Sequence, residues 1–106
     1  LKNDATRYKQ AQTLLKALNR ELPVILAGDF NDTADSRVLK LFTDAGFKFH
    51  IKNKATFHGG RRVEIDFIAL RSSQKCTLTL LSTKVIEERQ LSDHAPVIAE
   101  IDILGM

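Results

Sequence analysis

Carboxylate and amide side chains follow an apolar run in the stretch PVILAGDFND, residues 23–32. A carboxylate is costly to bury unless it finds a partner, shifts its pKa or binds a metal ion, so Asp29 and Asp32 each require an explanation. Asp29 and Asn31 stand two residues apart, and side chains with that spacing on one strand point the same way. The carboxylate can bind a metal ion or take a proton from water, and the amide can donate to a phosphoryl oxygen. An Asx turn leading into a helix accounts for the same residues equally well.

Two further segments place ionisable residues at or near predicted strand ends. In EIDFIAL, residues 64–70, Asp66 has apolar neighbours on both sides, although aspartate is disfavoured within strands. It is either an acidic residue on a solvated sheet face or a buried carboxylate that orients a histidine and stabilises its charged form. In SDHAPV, residues 92–97, Asp93 and His94 precede an apolar strand. They offer a metal ligand or base beside a group that titrates near neutral pH, and a capped surface turn is the alternative.

The helices that must position these residues follow from the apolar pattern. A first helix is predicted to run up to Pro23, which stops it, because the following residues have helical spacing: Ala11, Leu14, Leu15, Leu18 and Leu22. Residues 24–27 are apolar and few, which favours a strand buried on both faces. After the capping residues of DTADS a second helix is predicted, with Gly46 at its C-terminal end. Its inner side is predicted to carry Val38, Leu39, Phe42 and Ala45.

The strands follow from a change of period. From residue 47 onward apolar residues alternate with polar ones, which predicts strands separated by polar turns. They cover residues 47–51, 63–70, 77–86 and 96–103. The order of helix, strand, helix and then several strands indicates an α/β fold, with two helices on one face of one mixed, mainly antiparallel sheet. Ile68 lies on the opposite apolar face, which needs a further layer from a second chain or from another part of the protein.

Composition limits the class of protein. The chain has 106 residues, of which 43% are hydrophobic and 27% charged, as expected for one soluble globular unit. A net charge of +3 is compatible with a phosphate-bearing partner but far from a polybasic nucleic-acid arm. The single cysteine, Cys76, excludes an internal disulfide and a cysteine-based zinc site, and is expected to be a small buried apolar residue. No apolar run approaches the ~20 residues of a membrane span.

Three motifs occur in a characteristic order: GDFN at 28–31, EIDFI at 64–68 and SDHAPV at 92–97. The loop TFHGG at 56–60 precedes the second of them. With these motifs the chain resembles the endonuclease/exonuclease/phosphatase superfamily, the metal-dependent phosphodiesterases related to pancreatic deoxyribonuclease and exonuclease III. The resemblance covers essentially the whole chain. It implies half of a four-layer α/β sandwich of the deoxyribonuclease I type.

The resemblance implies a role for each residue that matches the family's motifs. Asp29 would orient or deprotonate the attacking water, and Asn31 would hold a phosphate oxygen. Asp93 would be a carboxylate of the metal site, which Asp29 adjoins and helps to form. His94 would contact the scissile phosphate, with Asp66 paired behind it. Ligands that are all oxygen point to Mg²⁺ or Mn²⁺ rather than to zinc.

The basic loop around the double glycine is a candidate for substrate contacts. His58, Arg61 and Arg62 flank Gly59 and Gly60, and their side chains could bind phosphate groups at the mouth of the site. A solvated basic loop is the alternative interpretation.

The family also has an N-terminal half that this chain lacks. That half carries an asparagine, a glutamate that is the main metal ligand, and a further histidine. Residues 1–106 are therefore expected to be the C-terminal portion of such a domain, and the chain begins at Leu1 rather than at a methionine. The missing half, or a second chain, is expected to cover the open sheet face. The chain alone is predicted to have little or no activity.

The predicted function is metal-dependent hydrolysis of phosphoester bonds by in-line attack of an activated water. The substrate stays open between DNA, RNA, phospholipid and small phosphoesters, because this fold serves all of them. Charge and aromatic content favour nucleic acid only modestly. The alternative function is a non-catalytic module that binds a partner, although such a role does not require the five polar site residues together. The sequence indicates no compartment.

Overall fold

A computed structural model describes residues 4–87 and 92–105 of the chain. Within them the chain forms two helices and five strands. In order they are α1 (Asp4–Ala17), β1 (Val24–Asp29), α2 (Arg37–Asp44), β2 (Lys48–Phe49), β3 (Asp66–Arg71), β4 (Cys76–Val85) and β5 (Val97–Gly105). Among the described residues, neither helix combines the length and the apolar character that crossing a bilayer would require.

The strands form two antiparallel sheets rather than one. The first sheet has the order β1-β3-β2, and the second consists of β4 paired with β5. The predicted α/β class and the mainly antiparallel pairing are confirmed, whereas the prediction of a single mixed sheet is wrong. The physical reason is that β4 and β5 are long strands of 10 and 9 residues, which satisfy each other's backbone groups in a ladder of their own. β4 pairs instead with β5 over nearly its whole length, from Cys76 opposite Gly105 to Val85 opposite Val97.

The core lies between the first sheet and the two helices. Five of the six phenylalanines form a chain of edge-to-face contacts with ring centroids 5.4 to 6.3 Å apart. They are Phe30, Phe42, Phe47, Phe49 and Phe67. Aromatic pairs prefer this geometry because the positive ring edge meets the negative face. The helices therefore cover one face of the sheet, as predicted, and they bury its aromatic side.

The first helix is shorter than predicted. α1 ends at Ala17, well before Pro23. Asn19 ends it: its side-chain oxygen accepts the N–H of Glu21 at 2.9 Å in an Asx turn, and its carbonyl accepts Nη2 of Arg71 at 2.7 Å. As a result Leu22 is not a helical core residue and is 56% exposed.

The second helix follows its local signals closely. Ser36 is the N-cap, and its hydroxyl accepts the N–H of Leu39 at 3.2 Å. Gly46 has φ 95°, as expected for the residue that reverses the chain after a helix. Of the four residues predicted to face inward, Ala45 is exposed because it is the C-cap and no longer part of the helical face.

The face of the first sheet that lies away from the helices is only partly covered. Near β3, the second sheet shields it, since Ile68 and Leu70 line a cavity of about 450 Å³ together with Leu78 and Leu80. At β1, Ile25 is 48% exposed and lies on this face. The prediction that β1 is buried on both faces is therefore wrong for the described residues, and the predicted open apolar surface is present at this strand.

Candidate active site

A cross-strand pair of carboxylates forms the centre of the site. The β1–β3 register ends with Asp29 opposite Asp66. Like charges at directly opposed positions destabilise a sheet unless a cation lies between them. The ring of His94 fills that position, with Nδ1 2.9 Å from one carboxylate oxygen of Asp66 and Nε2 3.5 Å from one of Asp29. The structure thus brings together three of the residues predicted to be catalytic.

The surroundings of His94 favour its charged form. Its pKa is raised above the ordinary 6.5, chiefly by the hydrogen bond to Asp66. Burial acts in the opposite direction, and the negative charges of Asp66, Asp29 and Asp93 raise the pKa further. The side chain of Asp66 is 17% exposed and that of His94 is 34% exposed, so both are partly buried. This geometry fits the reading of Asp66 as a buried carboxylate that orients a histidine.

The GDFN segment turns at the end of β1. Asp29 is the last residue of the strand, and one of its carboxylate oxygens accepts the N–H of Asn31 at 2.8 Å. Asn31 has φ 54°, a left-handed conformation that asparagine tolerates better than most residues. Between them, Phe30 donates its N–H to the carbonyl of Ile65 at 2.9 Å and places its ring in the core. The premise that Asp29 and Asn31 share a strand is wrong, because the strand ends and an Asx turn begins.

The SDHAPV segment is held against the loop that precedes β3. The N–H of His94 donates to the hydroxyl of Ser92 at 3.1 Å, and the next N–H, that of Ala95, donates to the carbonyl of Thr56 at 2.7 Å. The ring of Phe57 packs against the ring of His94 with centroids 5.0 Å apart. The imidazole is therefore fixed by its backbone, by a carboxylate and by an aromatic face.

The double glycine places this loop beside Asp93. The N–H of His58 donates to the carbonyl of Asp93 at 2.7 Å. A side chain on Gly59 would meet the ring of Phe57 and would lie 2.8 Å from a carboxylate oxygen of Asp93, so the close approach requires glycine. Gly60 has φ 98° and open space around it, so glycine is favoured there by the backbone conformation and not by a close contact.

The predicted substrate-binding residues lie on the tip of the same loop. Bridges between Phe57 and Val63 close it into a short hairpin. His58 is half-buried against the site, whereas Arg61 and Arg62 are exposed at the tip. Their position is compatible with contacts to a bound phosphoester, and that role stays a prediction.

Two buried ion pairs beside the site were not recognised in the sequence. Asp32 is 7% exposed and accepts Nε of Arg7 at 3.0 Å, which ties α1 to the turn after β1. Glu64 lies 2.9 Å from Nζ of Lys52, with both side chains nearly buried. The signal in the sequence for the Arg7–Asp32 pair was the carboxylate of Asp32 after the apolar run, which needed a partner. The Lys52–Glu64 pair had no local signal, because its residues are twelve positions apart.

The side chains present fit part of a site for a hard divalent cation. Ligand atoms of Asp29, Asp66 and His94 lie within 4.8 Å of one another. The hydrogen bond at Nδ1 and the raised pKa favour the imidazolium form of His94, which cannot ligate a metal. The exposed oxygens of Asp29 are better candidates, and Asp93 adjoins His94 but lies outside that group of described residues. Carboxylate oxygens are the donors that Mg²⁺ and Mn²⁺ prefer.

Comparison with known proteins identifies the family. The sequence model of the Endonuclease/Exonuclease/phosphatase family matches residues 5–94, a span that includes every site residue from Asp29 to His94. The chain belongs to this family. Endonuclease/Exonuclease/phosphatase proteins are in general hydrolases of phosphoester bonds, and they generally depend on divalent metal ions. No curated protein and no solved structure matched the chain in the corresponding comparisons.

Proposed function

We propose that this chain carries one side of the active site of a divalent-metal-dependent phosphoester hydrolase. In this proposal Asp29 accepts the proton of the attacking water, and Asn31 and His94 hold oxygens of the phosphoryl group. Asp66 orients His94 from behind, and Asp93 contributes a metal ligand together with Asp29. The observation that carries the proposal is the imidazole of His94 held between two carboxylates contributed by different strands.

The two sides of the imidazole are held unequally, which supports the proposed division of roles. The 2.9 Å contact to Asp66 is a good hydrogen bond, whereas the 3.5 Å contact to Asp29 is at the long limit for one. A phosphoryl oxygen can therefore compete for the Nε2 proton without disturbing the other side of the ring. A charged donor aimed at the oxygens that gain negative charge in the transition state lowers the barrier to hydrolysis.

The two oxygens of the Asp29 carboxylate also have different partners. One oxygen is fixed by the N–H of Asn31, and the other lies on the open side of the site facing His94. A carboxylate oriented in this way can take the water proton while the water oxygen bonds to phosphorus and the bond to the leaving oxygen breaks. When Mg²⁺ or Mn²⁺ is bound at Asp29 and Asp93, it would neutralise charge on the phosphoryl oxygens.

We further propose that these residues form the C-terminal portion of a larger Endonuclease/Exonuclease/phosphatase domain. The face of β1 opposite the helices, where Ile25 is 48% exposed, leaves space for a further layer. The proposed cover is an N-terminal half, or a second chain, that also supplies further metal ligands. The chain alone is then expected to hydrolyse phosphoesters at or near the background rate.

The proposed substrate class is a phosphoester with negative charge on both sides of the scissile bond, nucleic acid among them. Arg61 and Arg62 are exposed on the loop whose base contacts Asp93, and they would reach phosphates beyond the reacting one.

The experiment compares the 106-residue chain with the longest product that its gene encodes, on duplex DNA, RNA and a chromogenic phosphodiester. The longer product should hydrolyse at least one of them in Mg²⁺ or Mn²⁺ and lose activity with a chelator. Asp29→Asn should lower kcat by about 10²–10⁴-fold, as expected for a lost general base. The control Asp44→Asn, on the exposed face of α2, should not change kcat.

Two outcomes would contradict the proposal in different ways. Robust turnover by the 106-residue chain, abolished by Asp29→Asn, would show that no further half is needed. A longer product without metal-dependent turnover or Mn²⁺ binding by calorimetry would favour the non-catalytic binding module.

A further inference from the structure

Thr56 is the residue through which the segments of the site are joined. It is fully buried, and each of its polar groups is hydrogen-bonded. Its N–H donates to the carbonyl of Val63 at 3.0 Å, and its carbonyl accepts the N–H of Ala95 at 2.7 Å. Its hydroxyl oxygen accepts two N–H groups, that of Ile65 at 3.1 Å and that of Asp66 at 3.0 Å.

Two of these bonds reach the backbone of Asp66 and of the residue next to His94, the two residues that share one side-chain hydrogen bond. Asp66 carries the carboxylate that holds Nδ1 of His94, and Ala95 is the residue that follows His94. Thr56 therefore holds the backbone of the acceptor through its hydroxyl and the backbone next to the donor through its carbonyl.

The same residue reaches the turn after β1 through one further bond. The carbonyl of Ile65 accepts the N–H of Phe30, the residue between Asp29 and Asn31. A shift of residues 65 and 66 would therefore move the two carboxylates and the imidazole relative to one another.

We propose that Thr56 is a positioning residue for the reaction, which sets the distance between Asp66 and His94 without touching substrate. The inference rests on the proposed function for its catalytic consequence, but its structural part concerns a hydrogen bond within this chain. The hydroxyl oxygen at this position has two lone pairs, so it can accept both N–H groups at once, which an apolar side chain of the same shape cannot do. Residues that support active-site groups in this way typically change activity by about 10- to 100-fold when they are replaced.

The test compares Thr56→Val, which keeps the shape and removes the hydroxyl, with Thr56→Ser, which keeps the hydroxyl. Thr56→Cys replaces the strong acceptor by a weak one, and it keeps the comparison available if the valine variant does not fold. Thr77→Val repeats the same chemical change in β4, opposite Leu104, near the end of the hairpin remote from Val97. The first readout is the proton resonance of the His94 ring at Nδ1 in the 106-residue chain, which reports the hydrogen bond to Asp66. The second is kcat and KM of the longest gene product.

The shift of the Nδ1 resonance should increase as the hydrogen-bond acceptor at position 56 becomes weaker. The Nδ1 resonance should keep its position in Thr56→Ser and Thr77→Val, move upfield in Thr56→Cys, and move further or be lost by exchange in Thr56→Val. In the longer product Thr56→Val should lower kcat by about 10- to 100-fold with KM changed less than about 3-fold, and Thr56→Ser should restore most of it.

The cysteine or valine variant could unfold more easily and yet leave the Nδ1 resonance and kcat unchanged. That result would mean that Thr56 has a structural role only, and it would overturn the proposal. A resonance that moves as expected while no product of the gene has activity would instead refute the proposed function. An active product in which Thr56→Val has no effect on kcat would refute the positioning role alone.

Discussion

At the scale of the residue, the site depends on the charge state of one imidazole. His94 lies between two carboxylates, and the hydrogen bond to Asp66 is the main reason that its pKa is raised. A group whose pKa is higher in the folded protein than in the unfolded chain stabilises the fold. That stabilisation is fully present below pH 6.5, the ordinary value, and is lost as pH rises through the raised value.

The replacement Asp66→Asn should lower the pKa of His94 toward 6.5, because it removes the largest cause of the shift. It should also remove much of the decline in stability that the wild-type chain shows as pH rises above 6.5. NMR titration of the His94 ring protons measures the first effect, and urea unfolding on either side of that pH measures the second. An unchanged pKa in the variant would mean that the hydrogen bond does not control the charge of the ring.

The two glycines of the loop should respond differently to the same substitution. Gly59→Ala should shift the ring resonances of Phe57 and His94 and cost about 1–3 kcal/mol, because its Cβ has no room between Phe57 and Asp93. Gly60→Ala has space and should cost stability through backbone strain, with the rings unmoved. Ring shifts of equal size in both variants would contradict this distinction.

At the scale of the element, the site lies where two strands stop together. β1 ends at Asp29 and β3 begins at Asp66, so the terminal pair of their ladder has no further neighbours and its side chains meet the loop with His94. In addition to its pairing with β1, the backbone at the start of β3 is held by two side chains. Thr56 accepts the N–H of Asp66, and Nζ of Lys52 donates to its carbonyl at 3.0 Å.

Removing one partner of the buried pair of Lys52 and Glu64 should cost far more than removing one partner of an exposed pair. Glu64→Leu leaves the ammonium group of Lys52, whose side chain is 5% exposed, without its counter-charge and should cost about 3–5 kcal/mol. Adding Lys52→Met should recover part of that loss. Asp44→Asn, which breaks the exposed pair with Lys40, should leave the unfolding free energy nearly unchanged. Urea unfolding measures all three, and equal losses at the two sites would refute the argument.

At the scale of the whole molecule, the two faces of the first sheet are covered unequally. The side toward the helices is filled by the phenylalanine cluster, whereas β1 leaves Ile25 exposed and has no strand on its outer edge among the described residues. Edge strands with apolar surface usually pair with or are covered by another segment.

Two isoleucines that differ in exposure provide a matched comparison. Ile65→Ala, at a position that is 5% exposed, should lower the unfolding free energy of the 106-residue chain by about 2–5 kcal/mol. Ile25→Ala should cost much less in this chain, because about half of the side chain is already in water. In the longest gene product the cost of Ile25→Ala should rise toward that of Ile65→Ala. An equally small cost in both proteins would show that nothing covers this face.

Local patterns in the sequence were sufficient to predict much of the fold. The α/β class, the second helix with Ser36 before it and Gly46 after it, and the order of the strands were predicted correctly, because each depends on neighbouring residues. The strand bounds were less accurate, since β2 is only Lys48–Phe49 and β3 begins at Asp66. The end of α1 and the existence of two sheets were not predicted correctly. The end of α1 depends on Asn19 and Arg71, which are far apart in the chain. The second sheet depends on the long ladder between β4 and β5.

By itself the sequence determined which groups are available for chemistry, and three short motifs in order were enough for the family. Only the tertiary structure decided which groups meet: that His94 lies between Asp29 and Asp66, that Asp32 pairs with Arg7, and that Thr56 joins the loops. The physical reason is the separation along the chain over which each kind of interaction acts. Helix caps and strand alternation are settled within a few residues, whereas a carboxylate's partner is set by strand register and loop closure over tens of residues.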